Sequence, residues 1–125
     1  MDPELKELLA YLDEVIEDYQ RYVFNIGKNG LAASLMLYYR DEVQDMLEEL
    51  QYEEDLDLTD RWRRVGELDN LLRENQQAAV KEIGHNSFKQ YQIVNDPPRS
   101  HWWWYLDRVT PAPEADKKFW EFWKR

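Results

Sequence analysis

The sequence predicts an all-α protein in which three long helices form an up-down-up bundle and an irregular, aromatic-rich C-terminal segment packs over it. Apolar residues recur at alternating steps of three and four through most of residues 1–84, which is the period of a helix. Four glycines and five prolines in 125 residues are fewer turn-forming residues than a β-sandwich or barrel of this length needs. After residue 84 the helical period fades and aromatic residues become frequent, so we expect a different kind of packing there.

A single domain is expected, because a chain of 125 residues has the usual size of one domain and can bury one core. Its 43% hydrophobic and 34% charged residues are typical of globular proteins. We divide the predicted domain, residues 1–125, into a three-helix bundle over residues 1–84 and an aromatic extension with short helices over residues 85–125.

The first helix is predicted from about residue 3 to residue 26. Asp2 is a good N-cap, Pro3 suits the first helical position, and Gly27 is a natural stop. The apolar seam of this helix alternates steps of four and three: Leu5, Leu9, Leu12, Ile16, Tyr19, Val23 and Ile26. This regular seam is longer than a small three-helix core can easily cover. We therefore also expect the chain to form a two-fold homodimer.

The second helix is predicted over roughly residues 31–52. It follows a short turn at residues 27–30, and so short a link favours an antiparallel pair of helices. The predicted seam consists of Met36, Tyr39, Val43, Met46 and Leu50. The predicted outer, solvated face is acidic and consists of Asp41, Asp45, Glu48 and Glu49.

The third helix is predicted over about residues 60–83, with Asp57 or Thr59 as its cap and Gly84 as its end. Its apolar line consists of Trp62, Val65, Leu68, Leu72, Ala79 and Ile83. Asn75 stands where an apolar residue would continue this line, and we interpret it as a place where the helix meets water.

The last third of the chain has no long periodic pattern. Residues 87–94 alternate weakly between apolar and polar, which leaves a short strand or an irregular arm open. The sequence NDPP at residues 95–98 predicts a turn, because neither proline can donate a backbone hydrogen bond. Ser100 can then cap a short helix through the sequence HWWWYLDRV.

Three consecutive tryptophans, Trp102, Trp103 and Trp104, allow two interpretations. In the first, the short helix lies in a groove of the bundle and two of the rings complete the core. In the second, one or more rings are exposed anchors at a protein interface, where tryptophan is enriched. On a helix, Trp104 and Arg108 share a face and are placed for a cation–π contact.

The segment 117–125 is aromatic and basic, with four basic side chains and one acidic side chain. Because the whole chain has a net charge of -10, residues 1–116 carry -13. We expect the segment to dock on the acidic body or on a neighbouring subunit; contact with a membrane interface through residues 114–125 is the alternative. The candidate partner-binding residues are Trp102, Trp103, Trp104, Arg108, Trp120 and Trp123.

The charge balance bounds the class of partner. A net charge of -10 argues against nucleic acid, whose phosphates repel such a surface, and it favours a protein partner with a basic surface. The chain has no cysteine, which excludes disulfides and thiolate metal sites. The acidic, amphipathic start does not resemble a signal peptide, and no apolar run reaches the length of about 18 residues that spans a bilayer, so a cytoplasmic location is expected.

Two pairs of carboxylates form the one pattern that suggests chemistry. Glu14 and Glu17 are three residues apart on the first helix, and Glu42 and Asp45 are three residues apart on the second. This arrangement resembles the Mg²⁺ site of the all-α nucleoside-triphosphate pyrophosphohydrolases, the MazG-like and dimeric dUTPase group. The resemblance covers about residues 1–60, and it implies that the four carboxylates hold Mg²⁺ against a polyphosphate, with a bound water as nucleophile.

The residues themselves favour a function without catalysis. The periodicity of the first helix predicts that Glu14 and Glu17 face outward, and the two histidines, His85 and His101, are too few for a zinc site. We therefore predict no catalytic residue and no cofactor, and we expect a protein–protein interaction module, such as an adaptor, inhibitor or assembly factor, for a basic partner. The alternatives are a Mg²⁺-dependent pyrophosphohydrolase and a peripheral membrane protein anchored by its tail.

Overall fold

Every regular element of the described chain is a helix. The computed structural model describes residues 2–108, and no strand occurs among them. The five α-helices are α1 (Pro3–Phe24), α2 (Leu35–Leu50), α3 (Thr59–Glu74), α4 (Gln76–Ile83) and α5 (His85–Asn95). Two 3₁₀ helices, Gly30–Ala32 and Trp102–Arg108, complete the set, and we call the second one the aromatic segment. The prediction of an all-α fold is confirmed.

Helix α1 begins where its sequence predicts. The Asp2 carboxylate accepts a hydrogen bond of 3.1 Å from the backbone N–H of Glu4, and Pro3 takes the first position, where no donor is needed. The helix ends at Phe24, and Gly27 then adopts a φ of 95°, which favours glycine and lets the chain turn. Six residues of α1 are buried: Val15 and five residues of the predicted seam, Leu9, Leu12, Ile16, Tyr19 and Val23. The two end residues of that seam, Leu5 and Ile26, are only partly buried.

Helices α1 and α2 pack against each other in opposite directions. In the first half of α1, the Tyr11 hydroxyl donates a hydrogen bond to Glu42, at the middle of α2. Near the end of α1, the ring of Tyr22 lies 5.5 Å from that of Tyr39 in the first half of α2. The order of these contacts shows the antiparallel hairpin that the short turn predicts.

Helix α3 returns parallel to α1. Arg61 at its start pairs with Asp13 at 2.8 Å, and Arg64 one turn later donates to Gln20 at 2.9 Å. Positions therefore increase together along the two helices, which gives the up-down-up arrangement. The sequence-based seam is wrong at Trp62, which is 38% exposed because it lies in the first turn of α3, at the rim of the core.

The buried face of α2 differs from the predicted seam by a rotation of about one residue. Tyr39 and Met46 are only partly buried, and an arginine, Arg40, is buried instead. The cause is an acidic partner on another helix, Asp69, which neutralises this arginine inside the protein. The seam that the structure shows is Met36, Arg40, Val43, Leu47 and Leu50, with steps of four, three, four and three.

The predicted third helix is two helices in the structure. The chain leaves helical geometry at Asn75, with φ -106° and ψ 22°, and α4 starts at the next residue. The side-chain amide of Asn75 donates to the carbonyl oxygen of Leu71 at 2.8 Å, so it satisfies a carbonyl at the end of α3. Asn75 is exposed, as predicted, but it also marks a break in the helix, which was not predicted.

Residues 87–94, predicted as a strand or an irregular arm, belong to helix α5. The helix follows Gly84, whose φ of 92° turns the chain sharply after α4. Only Phe88 of this helix is fully buried, and so little buried surface explains the weak sequence pattern. Asp96, in the left-handed region at φ 42°, and the prolines after it end the helix, as NDPP predicts.

The core is one continuous cluster of buried residues, drawn from α1 to α5 and from the aromatic segment. Within residues 2–108, none of the helices combines the length and the apolar character that crossing a membrane requires.

Candidate functional site

The aromatic segment lies inside the protein. Five consecutive side chains are at most 5% exposed: Trp102, Trp103, Trp104, Tyr105 and Leu106. The segment contacts α2, α4 and α5, so it is covered on several sides. Its backbone also kinks at Tyr105, with φ -118° and ψ 19°, which gives the side chains directions that a straight helix does not offer. All three tryptophan rings, and not only two as the first interpretation expected, therefore belong to the core. None of them is an exposed anchor.

Asp41 on α2 is the common acceptor for the polar atoms of this region. Trp103 Nε1 donates to its Oδ1 at 2.7 Å, and Trp104 Nε1 lies 2.8 and 2.9 Å from its two oxygens. The Tyr91 hydroxyl donates to Oδ2 at 3.2 Å, and His101 Nδ1 lies 3.3 Å from Oδ1. A carboxylate can accept about four hydrogen bonds, so these donors occupy nearly all of its capacity.

The placement of Asp41 corrects the sequence-based prediction, which put it on the solvated face of the second helix. Its side chain is only 20% exposed and turns toward the aromatic segment. The physical reason is that two buried indole N–H groups need an acceptor, and one carboxylate between them satisfies both. We call Asp41 and its four donors the Asp41 cluster.

Two arginines lie over the tryptophan rings. The guanidinium carbon of Arg40 is 4.2 Å from the centre of the Trp103 ring, and that of Arg73 is 4.3 Å from the centre of the Trp102 ring. Burial lowers the pKa of Arg73, while the nearby Asp69 carboxylate opposes that shift. Such cation–π contacts hold the aromatic segment against α2 and α3.

A regular helix would place Arg108 beside Trp104, but the structure places it elsewhere. The kink at Tyr105 moves it, so that its guanidinium carbon lies 5.1 Å from the Tyr105 ring. Its Nη2 donates to the side-chain oxygen of Gln92 on α5 at 2.8 Å. The predicted cation–π contact between Arg108 and Trp104 is therefore wrong in its aromatic partner.

A buried ion pair joins three helices beneath the Asp41 cluster. Arg40 on α2 donates to both oxygens of Asp69 on α3, with distances of 2.9 and 3.0 Å. The Tyr19 hydroxyl of α1 donates to the same carboxylate at 2.7 Å, and burial, with the Asp69 charge, raises the Tyr19 pKa well above its usual value. Burying two ions costs several kcal/mol each, and the complete set of partners offsets that cost here. The pair positions Arg40 under the aromatic segment.

A groove opens between α2 and α5, next to the Asp41 cluster. Its volume is about 290 Å³, and no charged side chain lines it. Its floor is aromatic: Tyr91 stacks on Trp104 with ring centres 3.4 Å apart, and Tyr38 meets both rings edge-on, with its ring centre 5.7 and 5.1 Å from theirs. Ile83, Ser87 and Val94 add to its walls. We call it the α2–α5 groove.

The exposed side of α2 continues from this groove as a run of carboxylates. Asp45, Glu48 and Glu49 are exposed, and we call these three residues the acidic face. Partial burial raises the pKa of Asp45, and the charge of Asp41 raises it further. Burial and the same Asp41 charge raise the pKa of Tyr91 to about 12. Four carboxylates, Asp41, Asp45, Glu48 and Glu49, therefore lie along this part of α2.

The four carboxylates of the predicted Mg²⁺ site do not form a binding site. Glu14 and Glu17 are exposed on α1, as the periodicity predicts, and Glu42 accepts a hydrogen bond from Tyr11. Asp45 belongs to the acidic face. Among residues 2–108, no three histidine, aspartate or glutamate side chains are grouped so that they could hold a metal ion.

The structure also reveals residues that the sequence-based site prediction missed. Arg40 and Asp69 each lie one residue beyond a predicted apolar seam position, Tyr39 and Leu68, and two opposite charges beside the inner faces of neighbouring helices are a usable signal for a buried pair. Asp41 and Tyr91 give no comparable signal, because their partners depend on how the aromatic segment folds over α2. The remaining predicted partner-binding residues, Trp120 and Trp123, lie outside the described residues.

Comparisons with protein-family models, with curated proteins and with solved structures find no match for this chain.

Proposed function

We propose that this chain is a non-enzymatic protein-interaction module that binds a basic segment of a partner protein through the acidic face of α2. The observation that carries the proposal is the run of three exposed carboxylates along α2, Asp45, Glu48 and Glu49. Burial, and then the charge of Asp41, raises the pKa of Asp45; His101 opposes this shift, and Glu48 and Glu42 add to it. A cation placed against crowded carboxylates relieves their repulsion, so it gains more free energy there than beside an isolated carboxylate.

The distribution of charge over the whole chain supports this surface. The net charge is -10, and Arg40 and Asp69 are the only buried charged residues among residues 2–108. Because these two neutralise each other, the excess of negative charge belongs to the surface. A surface of that kind steers a basic partner and speeds its association.

Apolar contact would come from exposed tyrosines, because the tryptophans of the aromatic segment are buried. Tyr38 and Tyr52 flank the acidic face, seven residues on either side of Asp45, and are 48% and 81% exposed. Because a spacing of seven residues places side chains on the same side of a helix, Tyr38 shares the side of Asp45. Tyr52 lies two residues beyond the end of α2. Tyrosine is enriched at protein interfaces, where its ring supplies contact area and its hydroxyl a hydrogen bond.

A peptide titration tests the proposal. We expect a fluorescently labelled amphipathic lysine–leucine peptide to bind the protein in an anisotropy titration, and its glutamate counterpart not to bind. Affinity should fall between about 0.1 M and about 1 M salt, because the screening length falls from about 10 Å to about 3 Å. The double variant Asp45→Lys/Glu48→Lys should weaken binding by about tenfold or more, which corresponds to about 1.4 kcal/mol.

The matched control is Glu67→Lys/Glu74→Lys. These two residues are exposed on α3, and replacing them changes the net charge by the same amount. The control variant should keep most of the affinity. Equal weakening by the two double variants would show that net charge, and not the acidic face, attracts the peptide.

We also propose that the chain is located in the cytoplasm and that it associates with itself. Subcellular fractionation of the tagged chain tests the first. Light scattering during size-exclusion chromatography tests the second, since a two-fold dimer doubles the mass of the 15.3 kDa chain.

A further inference from the structure

We propose that residues 117–125 of this chain dock in its own α2–α5 groove, with their basic side chains directed toward the acidic face. The inference rests on the lining of the groove, on the charges around it, and on the length of chain that separates it from the end of the aromatic segment. It does not require the partner proposed above, and the segment and that partner would compete for the acidic face.

The first argument is apolar complementarity. Tyr38, about half exposed, and Val94, 79% exposed, border the groove, so an occupant would remove apolar surface from water. Tyr91, which is partly exposed and stacks on the buried Trp104, offers ring surface of the kind that aromatic side chains prefer as a neighbour. The segment 117–125 supplies four aromatic side chains in five positions: Phe119, Trp120, Phe122 and Trp123.

The second argument is charge. The segment has two basic residues at each end, Lys117 and Lys118, then Lys124 and Arg125. The groove itself contains no charged side chain, and the acidic face begins at Asp45, seven residues after Tyr38. Seven residues correspond to about 10 Å along a helix, so aromatic residues in the groove leave neighbouring lysines within reach of the carboxylates.

Two other cavities among the described residues are larger than the α2–α5 groove. One of about 400 Å³ beside α4 has Lys81 and Asp107 in its lining. Another of about 520 Å³ beside α5 has Lys89, Arg108 and Asp107 in its lining. Each therefore has a basic side chain beside one carboxylate, whereas the α2–α5 groove has no cation in its lining and shares helix α2 with the acidic face.

The third argument is reach. The aromatic segment ends at Arg108, which Gln92 holds on one side of α5, while the groove lies on the side that carries Ser87 and Val94. Eight residues, 109–116, connect the two, and an extended chain of that length spans at most about 26–29 Å. A helix with its side chains is about 10–12 Å across, so the connection is long enough to pass around α5.

A paramagnetic label tests this placement in the chain of 125 residues. The sequence contains no cysteine, so a single cysteine appended after Arg125 accepts one nitroxide at a known position. We expect the label to broaden the backbone amide signals of Ser87 and Val94 in the groove. The amide of Glu67, on α3, should keep its intensity.

A matched pair of variants shows whether the groove itself is responsible. Val94→Lys places a cation at the rim of the groove, whereas Ile93→Lys makes the same change at the adjacent residue, which is 82% exposed and lies outside the groove. Both residues are exposed, so neither change should unfold α5. Val94→Lys should abolish the broadening at Ser87, and Ile93→Lys should retain it. Broadening that survives both changes, or none in the parent chain, overturns the proposal.

A mixing experiment separates the same chain from a second copy. Isotopically labelled chains without the nitroxide are mixed with unlabelled chains that carry it. The proposal requires that the groove signals stay sharp, since each groove is filled by its own segment. Broadening in the mixture would show that a neighbouring molecule supplies the segment, and would replace the intramolecular contact by a homodimer. Failure of either test leaves the peptide titration on the acidic face unaffected.

Discussion

At the scale of single residues, Asp41 determines how the aromatic segment is held. Indole N–H groups donate but do not accept hydrogen bonds, so burying Trp103 and Trp104 requires an acceptor beside both of them. Asp41 provides it and also binds Tyr91 and His101. An aspartate that a helical wheel places on the solvent side is thus the polar centre of the contact between α2, α5 and the aromatic segment.

Asp41→Asn should destabilise the protein by about 2 kcal/mol, because hydrogen bonds to a charged group contribute about 1.5–3 kcal/mol and the amide replaces one acceptor oxygen by a donor. Urea denaturation followed by circular dichroism measures the change. Tryptophan fluorescence of the folded variant should also shift to longer wavelength, as water reaches the indoles of Trp103 and Trp104.

The control for this change is Asp45→Asn, one turn further along α2. Asp45 lies on the exposed side of α2, and its charge is disfavoured by partial burial and then by Asp41, so neutralising it should leave stability within about 0.5 kcal/mol or raise it slightly. If the two variants lost equal stability, the hydrogen bonds of Asp41 would not be the cause.

At the scale of elements, helices with an unbroken seam and a good cap were predictable, and short or interrupted ones were not. The start of α1 and its buried face follow from Asp2, Pro3 and the spacing of apolar residues alone. The break at Asn75 did not follow, because the apolar line continues on both sides of it and only tertiary packing decides where the chain bends. Helix α5 buries only Phe88 fully, so it has almost no periodic signal.

The candidate site, too, depends on tertiary packing that the sequence pattern does not show. The sequence identifies the three tryptophans as unusual, but their exposure depends on whether α2, α4 and α5 leave room for them. The Asp41 cluster joins residues that are 50 to 63 positions apart in sequence. Pairs that distant carry no periodic signature in a single sequence, so the acceptor could not be assigned before the fold was known.

Two glycines provide a test of element geometry. Gly84 joins α4 to α5 with a φ of 92°, so Gly84→Ala should cost about 1–3 kcal/mol, the range for a non-glycine residue held in a disfavoured region. Gly66 lies inside α3, and a methyl group added there meets no atom within 4 Å. Gly66→Ala should therefore stabilise the protein by about 0.4–1 kcal/mol. Thermal unfolding of both variants measures these changes. A loss of stability in Gly66→Ala as well as in Gly84→Ala would contradict the free space that the structure shows beside Gly66.

At the scale of the whole molecule, the described helices are joined by a few polar contacts that cross a largely apolar core. Tyr19 links α1 to the ion pair between α2 and α3, and Tyr91 links α5 to Asp41 on α2. Each hydroxyl donates to a carboxylate, and a phenolate could not. These two contacts therefore make the stability of the whole fold depend on pH above the neutral range.

The free energy of unfolding should fall as the solution becomes alkaline. Burial and the Asp41 charge raise the pKa of Tyr91 from 10.0 to about 12, and the pKa of Tyr19 is raised well above 10.0 by burial and Asp69. A folded-state pKa above the unfolded value means that the contribution of Tyr91 is complete below pH 10 and is lost as the pH rises through about 12. Urea denaturation over this range should show the decline, and Tyr91→Phe should make it shallower because the phenyl ring cannot ionise. An identical decline in the variant would mean that Tyr91 ionises equally easily in the folded and unfolded chain, and that Asp41 does not hold its proton.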